Sequence, residues 1–256
     1  MDRIKIVKDA DEFFLPPRLV IMDDQLKIRS NPGSRVFAHG ASDIADGKIA
    51  QKILRIEGVV DHLGPERTVF FNQVQLLRQK TLQTDYKLYL GDSYYINVNK
   101  VLQIKDDYLE SDNYNASRLT IDLLCLDPFW YSDDEQEKTE TITATPTSFV
   151  VNNAGRVETF PVITITATGT LPDFVLENET DVQSDGDGLK FRYTDPGLFA
   201  GDVLVIDCVE GTVKRGATNY IRYFTGAFLK LLAGDDTLTY TGADCSVKVE
   251  WFERSF

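Results

Sequence analysis

The chain is poor in the side chains from which most enzymes and metal sites are built. It has two histidines, His39 and His62, so a histidine general base or a histidine metal cluster has almost no material. Its three cysteines, Cys125, Cys208 and Cys245, are an odd number, far apart and without Cys-x-x-Cys spacing, which disfavours a disulfide framework or a zinc site. Cys125 and Cys208 stand in apolar strand-like runs, where a free cysteine behaves as a small hydrophobe, and they read as core residues in a reducing compartment. There is no His-Glu-x-x-His, no Gly-x-Ser-x-Gly elbow and no Walker or dinucleotide glycine loop. No apolar run approaches the length of a membrane span, and the charged start Met1-Asp2-Arg3-Ile4-Lys5 is not that of a secretion signal. The expectation is a protein that stays where it is made until something else carries it out. Basic charge is scarce as well: 27 Lys and Arg against 40 Asp and Glu leave a net charge of -13. That argues against a nucleic-acid binder, which needs basic surface to displace counterions from phosphate. No catalytic residue, cofactor or metal-ligand set is expected, and no ligand-binding residue is assigned.

What is present is a globular composition, 43% apolar and 11% aromatic over 256 residues, a length that suits one large domain or two of about 130 residues, each able to bury its own core. The charge is uneven. Residues 1–132 hold 19 acidic and 17 basic side chains, and residues 133–256 hold 21 and 10. A near-neutral half packed against partners and a solvated acidic half would give this split, as would simple compositional drift. The halves meet at Leu123-Leu124-Cys125-Leu126-Asp127-Pro128-Phe129-Trp130-Tyr131. Pro128 lacks a ladder donor and biases Asp127 toward an extended conformation, so a strand ends here. The three aromatics are too apolar for an idle linker and are expected to pack on a domain face. The sequence thus divides into an N-terminal domain, 1–132, an acidic, Thr-rich linker, 133–147, and a C-terminal domain, 148–256.

In the first half, Ile4, Ile6 and Val7 open a strand, Asn31-Pro32-Gly33-Ser34 signals a turn, His39–Asp43 reads as a loop, and residues 48–60 form a β-rich run. A helix starts at Leu63-Gly64-Pro65-Glu66-Arg67, with proline at its first position and Glu66 near the positive dipole end. Phe70, Val74 and Leu77 make its apolar stripe, reaching to about Leu82. Tyr86–Leu90 and Tyr94–Val101 look like hairpin strands around Gly91-Asp92, and Leu119, Ile121, Leu123 and Cys125 alternate with polar residues into the junction. One helix on antiparallel sheet makes this half α+β. In the second half every element reads as a strand: Ser148–Val151, Pro161–Ala167, Phe174–Glu177, Leu189–Tyr193, Val203–Asp207, Gly211–Lys214, Tyr220–Arg222, Leu238–Tyr240 and Val247–Phe252. Many short strands with regular turn signals indicate a β-sandwich. The fold class is mainly β, an α+β domain followed by a sandwich.

Several pieces carry a resemblance. Cys-Leu-Asp-Pro-Phe-Trp-Tyr at 125–131 and the charged segment after it come first. Asn152-Asn153-Ala154-Gly155 with Phe160-Pro161-Val162-Ile163-Thr164-Ile165 is next. Then follow Gly201-Asp202-Val203-Leu204-Val205-Ile206-Asp207-Cys208, with Gly211-Thr212-Val213 and Gly216-Ala217-Thr218-Asn219 behind it. The last is Phe228-Leu229-Lys230-Leu231 before Gly234-Asp235-Asp236-Thr237-Leu238. In this order and spacing they resemble the distal tail proteins of long-tailed (siphovirus-type) bacteriophages. The resemblance implies an N-terminal ring-forming (belt) domain and a C-terminal galectin-like sandwich. It also implies a homohexameric ring at the end of the tail tube, a hub that joins tube to tail-tip or receptor-binding apparatus. The partners implied are the tail tube protein, the tail-tip or tail-associated lysin protein, the tape-measure end and receptor-binding proteins. DNA would pass through without specific binding, there would be no membrane insertion, and the place would be the virion tail tip after assembly in the bacterial cytoplasm. Such a protein is not an enzyme.

Other readings name particular residues. Asp207 and Glu210, at the end of a strand, are the pair a two-carboxylate glycosidase would use, against a reading of Asp207 as the cap of the turn before Gly211. A non-catalytic carbohydrate-binding module with an oligomerising N-terminal domain would draw on Tyr193, Tyr220, Tyr223, Trp251 and Phe252, although Trp251 shares a strand face with Val247 and Val249 and is expected in the core. The loop Asp181–Gly188, which has no place in the family pattern, holds three aspartates able to ligate calcium through oxygen, and otherwise reads as a solvated β-loop. Val203, Val205 and Asp207 are expected on one face of a buried strand.

Overall fold

Alternation of apolar and polar residues sets nearly every element. The computed structural model describes residues 3–28, 32–34, 41–43, 49–63, 67–111, 114–183 and 186–256. These fall into two compact units, Met1–Trp130 and Tyr131–Phe256. The first unit runs β1 (Ile4–Lys8), β2 (Asp11–Phe14), β3 (Leu19–Ile28), β4 (Pro32–Ser34), β5 (Ala41–Asp43), β6 (Ile49–Leu63), α1 (Arg67–Thr81), β7 (Tyr86–Leu90), β8 (Tyr94–Val98), β9 (Lys100–Ser111) and β10 (Tyr114–Cys125). Strands lie side by side in the order β8-β7-β1-β2 and, in a second sheet, β3-β6-β10-β9, with β4 and β5 as a separate pair. All these pairings are antiparallel.

The core of this unit collects one face of each sheet and one stripe of the helix. Ile4, Ile6, Leu88, Ile96 and Val98 come from one set of strands; Leu54, Ile56, Leu119, Ile121, Leu123 and Cys125 come from the other. Phe70, Val74 and Leu77 of α1, at the expected i, i+4, i+7 spacing, close it. Trp130 is buried in the same core, with the ammonium of the buried Lys52 5.7 Å from its ring centre. The expected start of the helix at Gly64-Pro65-Glu66 lies outside the described residues, as does His39. Pro32–Ser34 and Ala41–Asp43, read from the sequence as turn and loop, are short paired strands.

The second unit continues with β11 (Trp130–Ile142), β12 (Thr147–Asn153), β13 (Val162–Ala167), β14 (Asp173–Val182), β15 (Gly188–Thr194), β16 (Val203–Asp207), β17 (Thr212–Arg215), β18 (Thr218–Asn219), β19 (Phe224–Gly226), β20 (Gly234–Gly242) and β21 (Cys245–Ser255). One layer has the order β18-β17-β16-β13-β21-β11 and the other β12-β20-β14-β15-β19. The inward faces form a single core that includes Phe174, Phe191, Tyr193, Leu204, Ile206, Tyr240, Val247, Val249 and Trp251. The mainly β class, with one α-helix among the described residues, is the architecture found.

Two local readings are corrected. The segment expected as an acidic linker, 133–147, is mostly strand: β11 runs through Asp133, Asp134, Glu135, Glu137 and Glu140. Its partner β21 supplies the ladder, and Lys248 of that strand meets Glu137 at 2.9 Å, so a polar strand is held by pairing rather than by burial. Tyr220–Arg222, expected as a strand, belongs to a 3-10 turn at Ile221–Tyr223. Val203, Val205 and Asp207 share a face, as expected; it is the outer one, and Leu204 and Ile206 point into the core.

Candidate functional site

The residues that chemistry would use are occupied by structural work. Asp207 Oδ1 accepts hydrogen bonds from the backbone N–H groups of Val209 and Glu210, each at 2.9 Å, and so caps the turn before Gly211. Glu210 is exposed. Tyr193 is fully buried and donates to Asp195 Oδ2 at 3.1 Å, and Trp251 lies in the core. Tyr220 and Tyr223 stack on each other, with ring centres 5.9 Å apart. Arg215 covers Tyr220 at 4.8 Å and Arg222 covers Tyr223 at 4.6 Å, so these rings offer no open platform to a sugar. Phe252 is half-buried. In the acidic loop, Asp181 faces Lys230 at 3.7 Å and Asp187 pairs with Lys190 at 2.7 Å; residues 184 and 185 lie outside the described residues. Burial pushes the thiol of Cys208 up to about 12, which keeps it protonated and unreactive at neutral pH.

Sequence reading missed a buried polar clasp in the second unit. Asn178 and Asp236 are fully buried. The amide of Asn178 donates to Asp236 Oδ1 at 2.7 Å and to the carbonyl of Lys230 at 2.9 Å, while Asn153 donates to the carbonyl of Leu232 at 2.9 Å. These contacts strap the irregular segment around Leu231 onto the sheet. Desolvation raises the Asp236 carboxyl above its usual range, helped by the nearby charges of Asp181 and Asp235, against the hydrogen bonds from Asn178 and Leu232. A folded-state value above the unfolded one stabilises the fold at low pH, and that contribution is lost as pH rises through the raised value. Asp236→Asn, which keeps an acceptor oxygen, is therefore expected to raise the melting temperature at neutral pH and to leave it unchanged near the acid end of the carboxylate range. Melting curves of both proteins across this window check the sign.

The first unit exposes apolar side chains on and beside its helix. Phe71 on α1 is 48% exposed and stacks at 5.6 Å on Tyr108 of β9, which is 38% exposed. Phe14, Leu76, Leu82 and Leu102 are exposed too. A groove lined by Phe13, Phe14, Pro16, Pro17, Val59 and Leu76, among others, opens beside the helix. The sheet β3-β6-β10-β9 has β3 and β9 as its outer strands. On its face away from the core, opposite charges stand side by side. Arg55 makes a two-pronged bond to Asp122 at 2.7 and 3.1 Å, and Arg118 stands opposite Asp107 in register. Among the described residues no group of three or more His, Cys, Asp or Glu could hold a metal ion.

Against this geometry the comparisons are informative. Residues 154–254 match the family model described as the siphovirus-type tail component, C-terminal domain. The fold of the whole chain superimposes on SPP1 Dit (gp 19.1), described as a paradigm of the hub adsorption apparatus in Gram-positive infecting phages. That match has a TM-score of 0.69, 13% identity and 98% coverage of both chains. The two findings together support a distal tail protein of siphoviruses. A chain from the phage P2 baseplate in its activated conformation with Ca aligns over 98% of both chains at 9% identity, but its TM-score of 0.39 carries no argument. No curated protein matches the sequence.

Proposed function

We propose that this protein is the hub of a phage tail tip, a structural component with no catalytic role. Copies would join through residues 1–132 into a ring, six by family resemblance, at the distal end of the tail tube. The units built from 148–256 would project outward and keep unassembled subunits soluble by their acidic charge. The ring would connect tail tube, tape-measure end, tail-tip or tail-associated lysin protein and receptor-binding proteins, and would let DNA pass without gripping it. Assembly would take place in the host cytoplasm.

The observation that carries this reading is the match of residues 154–254 to the siphovirus tail component family. The first unit is compatible with the rest. In the antiparallel sheet β3-β6-β10-β9 the strand directions alternate, so β9 of one copy can add to β3 of the next with the alternation unbroken. Such a contact is head-to-tail, the kind that closes a ring. The balanced charges of Arg55, Asp122, Arg118 and Asp107 suit a surface past which DNA slides, because a cation beside a carboxylate attracts phosphate less than a bare one. Negative-stain images of the purified full-length protein test the proposal: rings with a central hole support it, and compact particles without one contradict it.

A further inference from the structure

The acidic second unit carries one basic corner. Residues 211–234 contain Lys214, Arg215, Arg222 and Lys230 and no aspartate or glutamate. This same stretch builds the outermost strands of both layers: β17 and β18 end one sheet, β19 ends the other, and the turn Ile221–Tyr223 links them. Two of its cations are already engaged. Arg215 donates to the carbonyl of Gly197 at 2.7 Å and lies 3.5 Å from Asp202 and 3.8 Å from Asp195. Lys230 pairs with Glu158 at 2.9 Å. The other two, Lys214 and Arg222, are exposed and face no carboxylate among the described residues. Arg222 is nevertheless fixed in place, stacked on Tyr223 and donating to its hydroxyl at 2.9 Å. Ile221 is exposed beside it, and β18, only two residues long, presents an open backbone edge.

We propose that this corner is a docking site for an acidic, extended segment of a partner protein, its carboxylates paired with Lys214 and Arg222 and its backbone set along the edge of β18. Charge complementarity selects such a partner. On an acidic unit, two unpaired cations close together on a rigid scaffold concentrate the attraction at this corner. An open strand edge adds hydrogen bonds that only a polypeptide can satisfy. The tyrosine faces are covered by Arg215, Arg222 and each other, so stacking of sugar rings does not compete. The proposal goes beyond the hub reading and does not depend on ring formation.

Fluorescently labelled poly-L-glutamate, which is extended by its own charge, is a direct probe for the full-length protein by anisotropy at about 20 mM salt. Binding is expected, weakened about tenfold or more by Lys214→Glu or Arg222→Glu and by the milder Arg222→Gln. Arg156→Glu, which alters another exposed cation, is expected to leave it unchanged. Absence of binding, or equal loss in Arg156→Glu, overturns the proposal. Tighter binding of dextran sulfate at the same residues assigns the corner to an anionic polysaccharide and overturns it too. So does self-association that Lys214→Glu abolishes, which makes a second copy the occupant.

Discussion

Gly58→Ala is expected to unfold the first unit. Gly58 sits in β6, opposite Leu19 on one side and Leu119 on the other. A Cβ added there would stand 2.0 Å from the carbonyl oxygen of Arg18, 2.8 Å from its carbon and 2.9 Å from Leu19 Cα. Every atom in the way is backbone, held by the β3–β6 ladder, so no rotamer change relieves the clash. Separating β3 from β6 would disrupt one of the sheet's two outer pairings, and a cost of at least about 3 kcal/mol follows. Near-UV circular dichroism and urea unfolding measure it. A variant within about 1 kcal/mol of the parent would show that the close approach of β3 to Gly58 is wrong.

Phe174→Ala is expected to have a comparable effect in the second unit. Phe174 is buried at the centre of an aromatic cluster, 5.5 Å from Tyr193, 5.7 Å from Tyr240 and 6.2 Å from Phe191, ring centre to ring centre. The neighbours cannot collapse into the space. Tyr193 is tied to Asp195, Tyr240 donates to the carbonyl of Ala243 at 3.0 Å, and Phe191 is stacked on Phe224. Loss of the ring therefore costs about 3–5 kcal/mol, enough to lower the melting temperature by roughly 10 °C or more. A shift of only a few degrees would mean that the cluster repacks.

Much of this core is legible from the sequence because its signals are local. Phe70, Val74 and Leu77 announce the helix stripe by spacing alone, and Leu119, Ile121, Leu123 and Cys125 announce a one-sided strand. The cap role of Asp207 follows from the residue type before a turn. Other features depend on partners distant in the chain. Nothing in Asp133–Glu140 signals a strand until β21 brings Lys248 alongside. The outward phase of Val203 and Val205 was hidden because both faces of that strand are apolar, so alternation gave no sign. Asn178 and Asp236 lie 58 positions apart and look like ordinary surface residues until the fold buries them together. The exposed apolar surface beside the helix was the least legible part. Phe71 is one residue from buried Phe70, and only the helix phase together with Tyr108 of β9 shows that its ring is exposed.

The most direct test of the hub reading is the mass of the full-length protein in solution by multi-angle light scattering. The account predicts a closed assembly of six copies, or two such rings back to back, in which the first unit makes the contacts. A compact dimer, or a chain that stays monomeric as its concentration is raised, contradicts it.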